Sequence, residues 1–115
     1  MTRLYISGPV TGRPYDNEAA FREAQTRLFG AGYGALIPHD LVLPEDPRET
    51  AMLLRIHDLT ALDKDSGCMS ISPLYDGLAL LPGWGQSEGA KLEKAVAEAC
   101  GIPVKTVDEW IEETI

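Results

Sequence analysis

The sequence predicts an α/β fold, in which helices cover both faces of a mostly parallel sheet of four to five strands. Short apolar runs of strand length alternate with segments whose apolar residues recur at helical spacing. Turns that contain glycine or proline separate the two kinds of segment. The strand–helix order recurs along the whole chain, and this alternation is typical of a parallel sheet with helices on both sides.

The first elements are a strand, a helix and a second strand. Residues 4–6 are apolar and predict the first, central strand of the sheet. Asn17 is the predicted N-cap of a helix that ends at Gly30. The apolar stripe of this helix consists of Ala20, Phe21, Ala24 and Leu28. The short apolar run at 33–37 predicts the second strand.

A second helix is predicted over residues 48–63, after a proline-rich loop at 38–47. Its apolar stripe consists of Met52, Leu53, Ile56, Leu59 and Leu62. Residues 65–73 are polar and irregular, and they are longer than the ~4–6 residues that usually connect two elements. We expect this segment to be a lid or an interface loop.

The last third of the chain predicts two further strand–helix pairs. Residues 78–81 are the third strand, and a helix at 86–99 follows a glycine-containing turn. The residues that we expect this helix to bury are Leu92, Val96 and Ala99. Residues 102–105 predict the last strand, and Thr106 or Asp108 begins the last helix.

The length of the chain fits one domain that spans 1–115. The alternation of strands and helices predicts that this domain is a three-layer sandwich of the Rossmann-like or flavodoxin-like type. The formal net charge of −8 argues against a protein that binds a nucleic acid polymer, because such binding needs clustered Lys and Arg. A free nucleotide could still bind through backbone N–H groups. No apolar run approaches the ~18 residues of a membrane span, so we expect no membrane partner.

Cysteine and histidine usage predicts a cytoplasmic protein without metal or cofactor. Cys68 and Cys100 lie in apolar or small-residue surroundings and are expected to be buried free thiols in a reducing compartment. The start of the chain has no signal-peptide pattern. His39 and His57 have no metal-ligand spacing to each other or to the cysteines.

The stretch from the third strand into its helix predicts a ligand site at the carboxyl end of the sheet. Glu93 lies about one turn into this helix. A solvated surface glutamate is the alternative, but Glu93 flanks the buried stripe and lies near a positive helix terminus. A carboxylate there can act as a nucleophile or a general base.

The turn before this helix offers further candidates. Ser87 is either a helix cap or a ligand for an anion or hydroxyl, and the two roles are compatible. Glu88 disfavours a phosphate unless its side chain points away. Trp84 is either a packed loop anchor or a wall on which a base stacks. Tyr5 could simply be a packing residue, and Asp58 part of a charged helical face.

Two motifs resemble a known superfamily. The opening Leu4-Tyr5-Ile6-Ser7-Gly8-Pro9 looks like that of the nucleoside 2-deoxyribosyltransferase superfamily. The S-x-G-x-x-x-E pattern from Ser87 to Glu93 resembles the active-site turn and helix of its 2′-deoxynucleoside 5′-monophosphate N-glycosidase branch. Over nearly the whole chain, the sequence looks most like an uncharacterised bacterial and phage family of the DUF4406 type.

The resemblance implies a catalytic role for three residues. Glu93 would attack the anomeric carbon of a 2-deoxyribosyl group and form a covalent intermediate, and Tyr5 would orient it. Asp58 would contact the sugar or protonate the leaving base. Extra residues at 65–73 leave three rivals for the aspartate, which are Asp63, Asp65 and Asp76. Thr11 stands where the glycosidase branch has an arginine.

The resemblance also implies a set of substrate-binding residues. They are Ser7, Gly8, Pro9, Val10 and Gly12 of the first loop, together with Trp84, Ser87 and Gly89. The implied function is cleavage or transfer of the N-glycosidic bond of a small (deoxy)nucleoside or nucleoside 5′-monophosphate. The alternatives are a non-catalytic nucleotide-binding module and a structural protein. A homodimer or higher homo-oligomer is expected, because superfamily members complete each site with a neighbouring subunit.

Overall fold

Parallel strands form the central sheet of the protein. The computed structural model describes residues 2–10, 17–41, 48–63 and 72–114. In chain order its strands are β1 (Arg3–Ser7), β2 (Gly34–Leu36), β3 (Leu62–Asp63), β4 (Ser72–Pro73), β5 (Gly77–Leu80) and β6 (Val104–Thr106). Its helices are α1 (Glu18–Gly30), α2 (Arg48–Leu59), α3 (Glu88–Ala99) and α4 (Val107–Glu112).

The sheet has four parallel strands in the order β2-β1-β5-β6. The predicted α/β class, the Rossmann-like three-layer arrangement and the central position of the first strand are all confirmed. The chain moves from β1 outward to β2 and then returns to place β5 on the other side of β1. The order therefore reverses between β1 and β5, where open α/β sheets bind ligands at the carboxyl ends of the strands.

Helices cover both faces of the sheet. α1 packs with α4 on one face, and α2 packs with α3 on the other. Side chains alternate along a strand, so Leu4 and Ile6 of β1 face α1 and α4, where they join one apolar core. Tyr5 belongs to the second core, on the α2 and α3 face. Ser7 shares the alternation of Tyr5 and therefore points to that same face.

The start of α1 differs in detail from the prediction. Asn17 occupies the predicted N-cap position with a φ of 63°, but its side chain makes no capping hydrogen bond. Its amide instead donates to the Pro9 carbonyl oxygen at 2.9 Å, which ties the loop after β1 to the helix. The buried residues of α1 are Phe21, Ala24 and Leu28, as predicted.

The second helix ends earlier than predicted. α2 stops at Leu59, because residues 62–63 pair with 72–73 as the short antiparallel ribbon of β3 and β4. Leu59 is buried, but Leu53 is 72% exposed, so its assignment to the buried stripe is wrong. Residues 64–71 lie outside the described residues, and the predicted lid or interface loop falls largely on them.

The buried face of α3 is only partly the predicted one, since of the three predicted residues Val96 alone packs, half-buried, against the second core. The helix buries Ala90, Glu93 and Ala97, whereas Leu92 is 45% exposed and Ala99 is exposed. These buried residues are three and four positions apart, so they lie on one face of the helix. That face turns the Glu93 carboxylate toward the core. Cys100 is also exposed, which corrects the prediction of a buried thiol, and Cys68 lies outside the described residues.

The last helix, α4, begins at a cap that the local sequence predicts. Thr106 is the N-cap of α4 and forms a capping box with Glu109. The short helix buries Val107 and Trp110. The Trp110 indole N–H donates to the Leu78 carbonyl oxygen at 3.0 Å and so fixes α4 against the sheet. No helix in the described ranges is long and apolar enough to cross a membrane.

Gly77 is required where the Trp110 ring crosses β5. A β-carbon at Gly77 would lie 2.6 Å from Trp110 Cη2 and 2.9 Å from Leu4 Cδ2. We therefore expect Gly77→Ala to lower the free energy of unfolding by about 1–3 kcal/mol, measured by urea denaturation. Gly30→Ala is the control, since nothing lies within 4 Å of a β-carbon there. Equal stabilities of the two variants would contradict the expectation.

Candidate active site

The site is built around a carboxylate on the buried face of α3. Ser7 ends β1 at the carboxyl edge of the sheet, and its hydroxyl donates to Glu93 Oε1 at 2.8 Å. Both residues are buried, Ser7 at 0% and Glu93 at 1% exposure. Glu93 Oε2 is also buried and accepts no hydrogen bond from any described residue. One carboxylate oxygen is therefore fixed, and the other has unused acceptor capacity.

Tyr5 lies beside this carboxylate on the same strand face as Ser7. Its hydroxyl is buried and makes no well-formed hydrogen bond among the described residues, although it lies close to the Glu93 carboxyl. Burial raises the pKa of Tyr5 well above its ordinary value, and the neighbouring Glu93 raises it further. The phenol is thus a neutral donor, and the sequence prediction that Tyr5 accompanies Glu93 is consistent with this geometry.

Burial dominates the acid–base behaviour of Glu93. Its removal from water raises the pKa of the carboxyl above the ordinary value of 4.5. Interactions with the hydroxyls of Tyr5 and Ser7 and with the Arg55 guanidinium act in the opposite direction. Burial therefore outweighs these polar neighbours, and the Glu93 carboxyl retains its proton to higher pH than an exposed glutamate does.

Arg55 is a site residue that sequence reasoning missed. A β-carbon at Gly89 would lie 3.6 Å from Arg55 Nη1, so the guanidinium crosses the first turn of α3. Arg55 Nε is buried and makes no hydrogen bond with any described residue. The signal was present in the spacing, because Arg55 lies three residues after Met52 and four before Leu59, within the buried stripe of α2.

Asp58 lies one helical turn beyond Arg55, toward the amino end of the sheet. Its Oδ2 accepts a hydrogen bond of 2.5 Å from the Tyr75 hydroxyl. The Tyr75 ring meets the Tyr5 ring edge-on, with centroids 5.5 Å apart. Burial and Asp58 together raise the pKa of Tyr75. Asp58 is therefore linked to Glu93 through two aromatic rings and does not contact it directly.

The rival aspartates are less well placed or lie outside the described region. Asp76 accepts a hydrogen bond of 2.8 Å from the Arg3 backbone N–H, at the amino end of β1 and thus opposite to Ser7. Asp65 lies outside the described residues, and of Asp63 only the backbone is described. Asp58 is the aspartate whose charge raises the pKa of Tyr5.

The turn before α3 carries a cap and an outward-pointing acid. Ser87 is the N-cap, and its side-chain oxygen accepts from the Ala90 N–H at 3.2 Å. The Ser87 hydroxyl hydrogen is left to donate to a ligand. Glu88 is 77% exposed in its side chain and pairs with Lys91 at 2.9 Å. Its charge therefore points away from the turn, which was the condition for a phosphate to bind there.

The loop after β1 passes closely over the turn after β5. Gly8 and Pro9 are buried, and Val10 is half-buried against the first core. A β-carbon at Gly8 would lie 2.7 Å from Leu81 Cβ, so only glycine allows this approach. Gly12, the last predicted binding residue of the loop, lies outside the described residues.

Trp84 follows β5 at the carboxyl edge of the sheet and packs against the second core, to which Tyr5 belongs. The Trp84 ring is half-buried, and the Lys94 ammonium lies 5.5 Å from the ring centroid. It lines a cleft of about 350 Å³ between α1 and the start of α4, whose lining includes neither Ser7 nor Glu93. In the described ranges, no three His, Cys, Asp or Glu side chains are grouped to hold a metal ion.

Fold and site together define a class of protein: a parallel α/β domain with a buried carboxylate at the switch point between β1 and β5. The chain belongs to the family described as domain of unknown function DUF4406, whose sequence profile matches residues 2–106. The predicted likeness to that family is thereby confirmed. No curated protein matches the chain, and no solved structure does.

The raised pKa of Glu93 has a consequence for stability. The folded protein holds this proton more tightly than the unfolded chain, so Glu93 lowers the free energy of unfolding as pH rises from about 4.5 to its folded pKa. At pH values above both the unfolded and the folded pKa, each unit by which folding raises the pKa lowers the free energy of unfolding by about 1.4 kcal/mol. We expect Glu93→Gln to be more stable than the wild type at pH 7–8, with the difference vanishing near pH 4.

Urea denaturation at several pH values measures this effect. Glu98→Gln on the same helix is the matched control, because Glu98 is exposed and pairs with Lys94. A stability difference between wild type and Glu93→Gln that does not change with pH would contradict the assignment of a buried, proton-retaining carboxyl.

Proposed function

We propose that the protein cleaves or transfers the N-glycosidic bond of a small (deoxy)nucleoside or nucleoside 5′-monophosphate, with Glu93 as the nucleophile. The observation that carries the proposal is the Glu93 carboxylate itself, which is buried, anchored through Oε1 and free to accept at Oε2. Its position beside the carboxyl end of β1 is where a ligand binds in this class of sheet.

The reaction divides into two steps. Glu93 Oε2 attacks the anomeric carbon while the C–N bond breaks, and the base departs with the bonding electron pair and takes up a proton. A glycosyl-enzyme ester remains. Water or a second base then attacks the same carbon and releases the carboxylate of Glu93. The protein is a hydrolase if water resolves the ester, and a transferase if a second base does.

The buried surroundings suit this chemistry. Both steps develop positive oxocarbenium character on the sugar, and a fixed carboxylate in a water-poor site stabilises it more strongly than one in water. The Ser7 hydroxyl holds Oε1, so the carboxyl does not have to reorient when the sugar arrives. The Tyr5 hydroxyl lies close to the carboxyl on the same strand face.

The first turn of α3 is the proposed contact for the 5′ end of the ligand. Ser87 can donate its hydroxyl hydrogen, and the first N–H groups of the helix favour an anion. The outward direction of Glu88 and its pairing with Lys91 remove the main objection to a phosphate. A monophosphate is therefore as compatible with this turn as a nucleoside. A homo-oligomer and a cytoplasmic location in a bacterial or phage-infected cell stay predictions.

Removal of the nucleophile tests the proposal. We expect Glu93→Ala to abolish release of free base from the deoxynucleosides and deoxynucleoside 5′-monophosphates that the wild type accepts, as followed by chromatography. Glu98→Gln is the control and should keep wild-type rates. Thermal unfolding of both variants establishes that the fold is intact.

Two outcomes would contradict an enzymatic role. One is the absence of base release from the wild type with every substrate of the screen, and the other is a Glu93→Ala variant as active as the wild type. If a nucleotide raised the melting temperature without being consumed, the protein would be the non-catalytic binding module that the sequence left open.

Asp58 is the proposed proton donor for the leaving base. We expect Asp58→Asn to slow release of an unmodified purine by about 10²-fold or more, because an amide cannot pass an acidic proton to the departing base. A 7-methylguanine nucleoside leaves without added proton, so its release should be slowed far less. Equal slowing of both substrates would mean that Asp58 only positions Tyr75, and Tyr75→Phe should then reproduce the effect.

A further inference from the structure

The surroundings of Glu93 pose an electrostatic problem that its hydrogen bonds do not solve. A carboxylate removed from water loses several kcal/mol of solvation unless a charge or several donors replace it. The Ser7 hydroxyl donates to Glu93 Oε1 and the Tyr5 phenol lies close to the carboxyl, but both groups are neutral. Oε2 accepts no hydrogen bond from the described residues. A nucleophile needs the ionised form, so a further group must support it.

The Arg55 guanidinium lies where it can supply this charge. Its Nη1 lies 3.6 Å from where a β-carbon of Gly89 would be. Gly89 is four residues before Glu93, so both lie on one face of α3, one turn apart. Helical side chains lean toward the N-terminus, which brings the Glu93 carboxyl toward the level of Gly89. The guanidinium therefore lies against that turn, at ordinary contact distance from a β-carbon there.

No other described cation competes with Arg55 for this position. On α3, Lys94 is the nearest basic residue in sequence, but its ammonium pairs with Glu98 at 2.9 Å and lies over Trp84. From β1 the titratable neighbour is Tyr5, which is neutral. Facing strand β5 contributes the apolar side chains of Leu78 and Leu80. From α2, Asp58 is engaged by Tyr75.

We propose that Arg55 is a positioning residue that holds Glu93 in its ionised, attack-competent form from the first turn of α3. Its effect on catalysis rests on the proposed function, whereas its effect on the charge of Glu93 does not. Removal of the guanidinium would leave the carboxyl protonated over a wider pH range. The enzyme would then lose activity at neutral pH and regain it at higher pH.

The titration of Glu93 tests the proposal without any substrate. With glutamate labelled by ¹³C at Cδ, the Glu93 signal is the one that is absent from the spectrum of Glu93→Gln. We expect Arg55→Met to raise the titration midpoint of this signal by about one pH unit or more. Arg27→Met is the control with the same charge change, since Arg27 pairs with Asp108 on the opposite face of the sheet.

A conservative variant separates charge from packing. Arg55→Lys keeps a cation in the same position and should shift the midpoint of Glu93 less than Arg55→Met does. If Arg55→Met does not fold, the comparison of Arg55→Lys with the wild type still reports on the guanidinium. An unchanged Glu93 midpoint in a folded Arg55→Met protein overturns the proposal, as does an equal shift in Arg27→Met.

Kinetics extend the same test where base release is found. The acid limb of the kcat/KM profile should move to higher pH in Arg55→Met by the same amount as the Glu93 midpoint. A loss of activity that is equal at all pH values would assign Arg55 to binding or structure instead. Failure of the proposed function would appear as absent base release in the wild type, while the titration result would stand by itself.

Discussion

The hydrogen bond between Ser7 and Glu93 is the contact on which the rest of the site depends. It joins β1 to α3 across 86 positions of sequence and sets the rotation of the helix on the sheet. With Glu93 turned inward, Ala90 and Ala97 follow it into the core and Leu92 is left half outside. A small-residue helix face therefore lets the carboxyl approach the strand closely. The Ser7–Glu93 hydrogen bond and the packing of Ala90 and Ala97 therefore require the same rotation of α3.

The two faces of the sheet differ in polarity. The face covered by α1 and α4 is apolar. There the Trp110 ring packs over Gly77 and donates a hydrogen bond to the Leu78 carbonyl oxygen. The face covered by α2 and α3 contains Tyr5, Ser7 and Glu93. A buried carboxyl of raised pKa lowers the free energy of unfolding at neutral pH, and natural proteins keep such groups mainly where function requires them. The apolar face offsets this cost.

The site draws its residues from three elements that meet beside the switch point of the sheet. β1 supplies the strand face, α3 supplies the carboxyl, and α2 supplies Arg55 and, one turn further, Asp58. Because α2 and α3 lie side by side, the guanidinium of one helix crosses the first turn of the other beside Gly89. The same turn carries Ser87 and its free helix N–H groups, so the charges that act on Glu93 and on a ligand are neighbours.

The sequence by itself determined the four strands of the parallel sheet, the four helices and the caps at Ser87 and Thr106, but not the β3–β4 ribbon. These follow from local signals: periodicity, capping chemistry and motif spacing. Only the tertiary structure decided which face of α3 is buried, because Leu92 and Glu93 are adjacent and periodicity alone favoured the leucine. It also decided the roles of Ser7 and Arg55. Spacing can place Arg55 on the buried side of α2, but contacts that span 86 and 38 positions exist only when separate elements pack together.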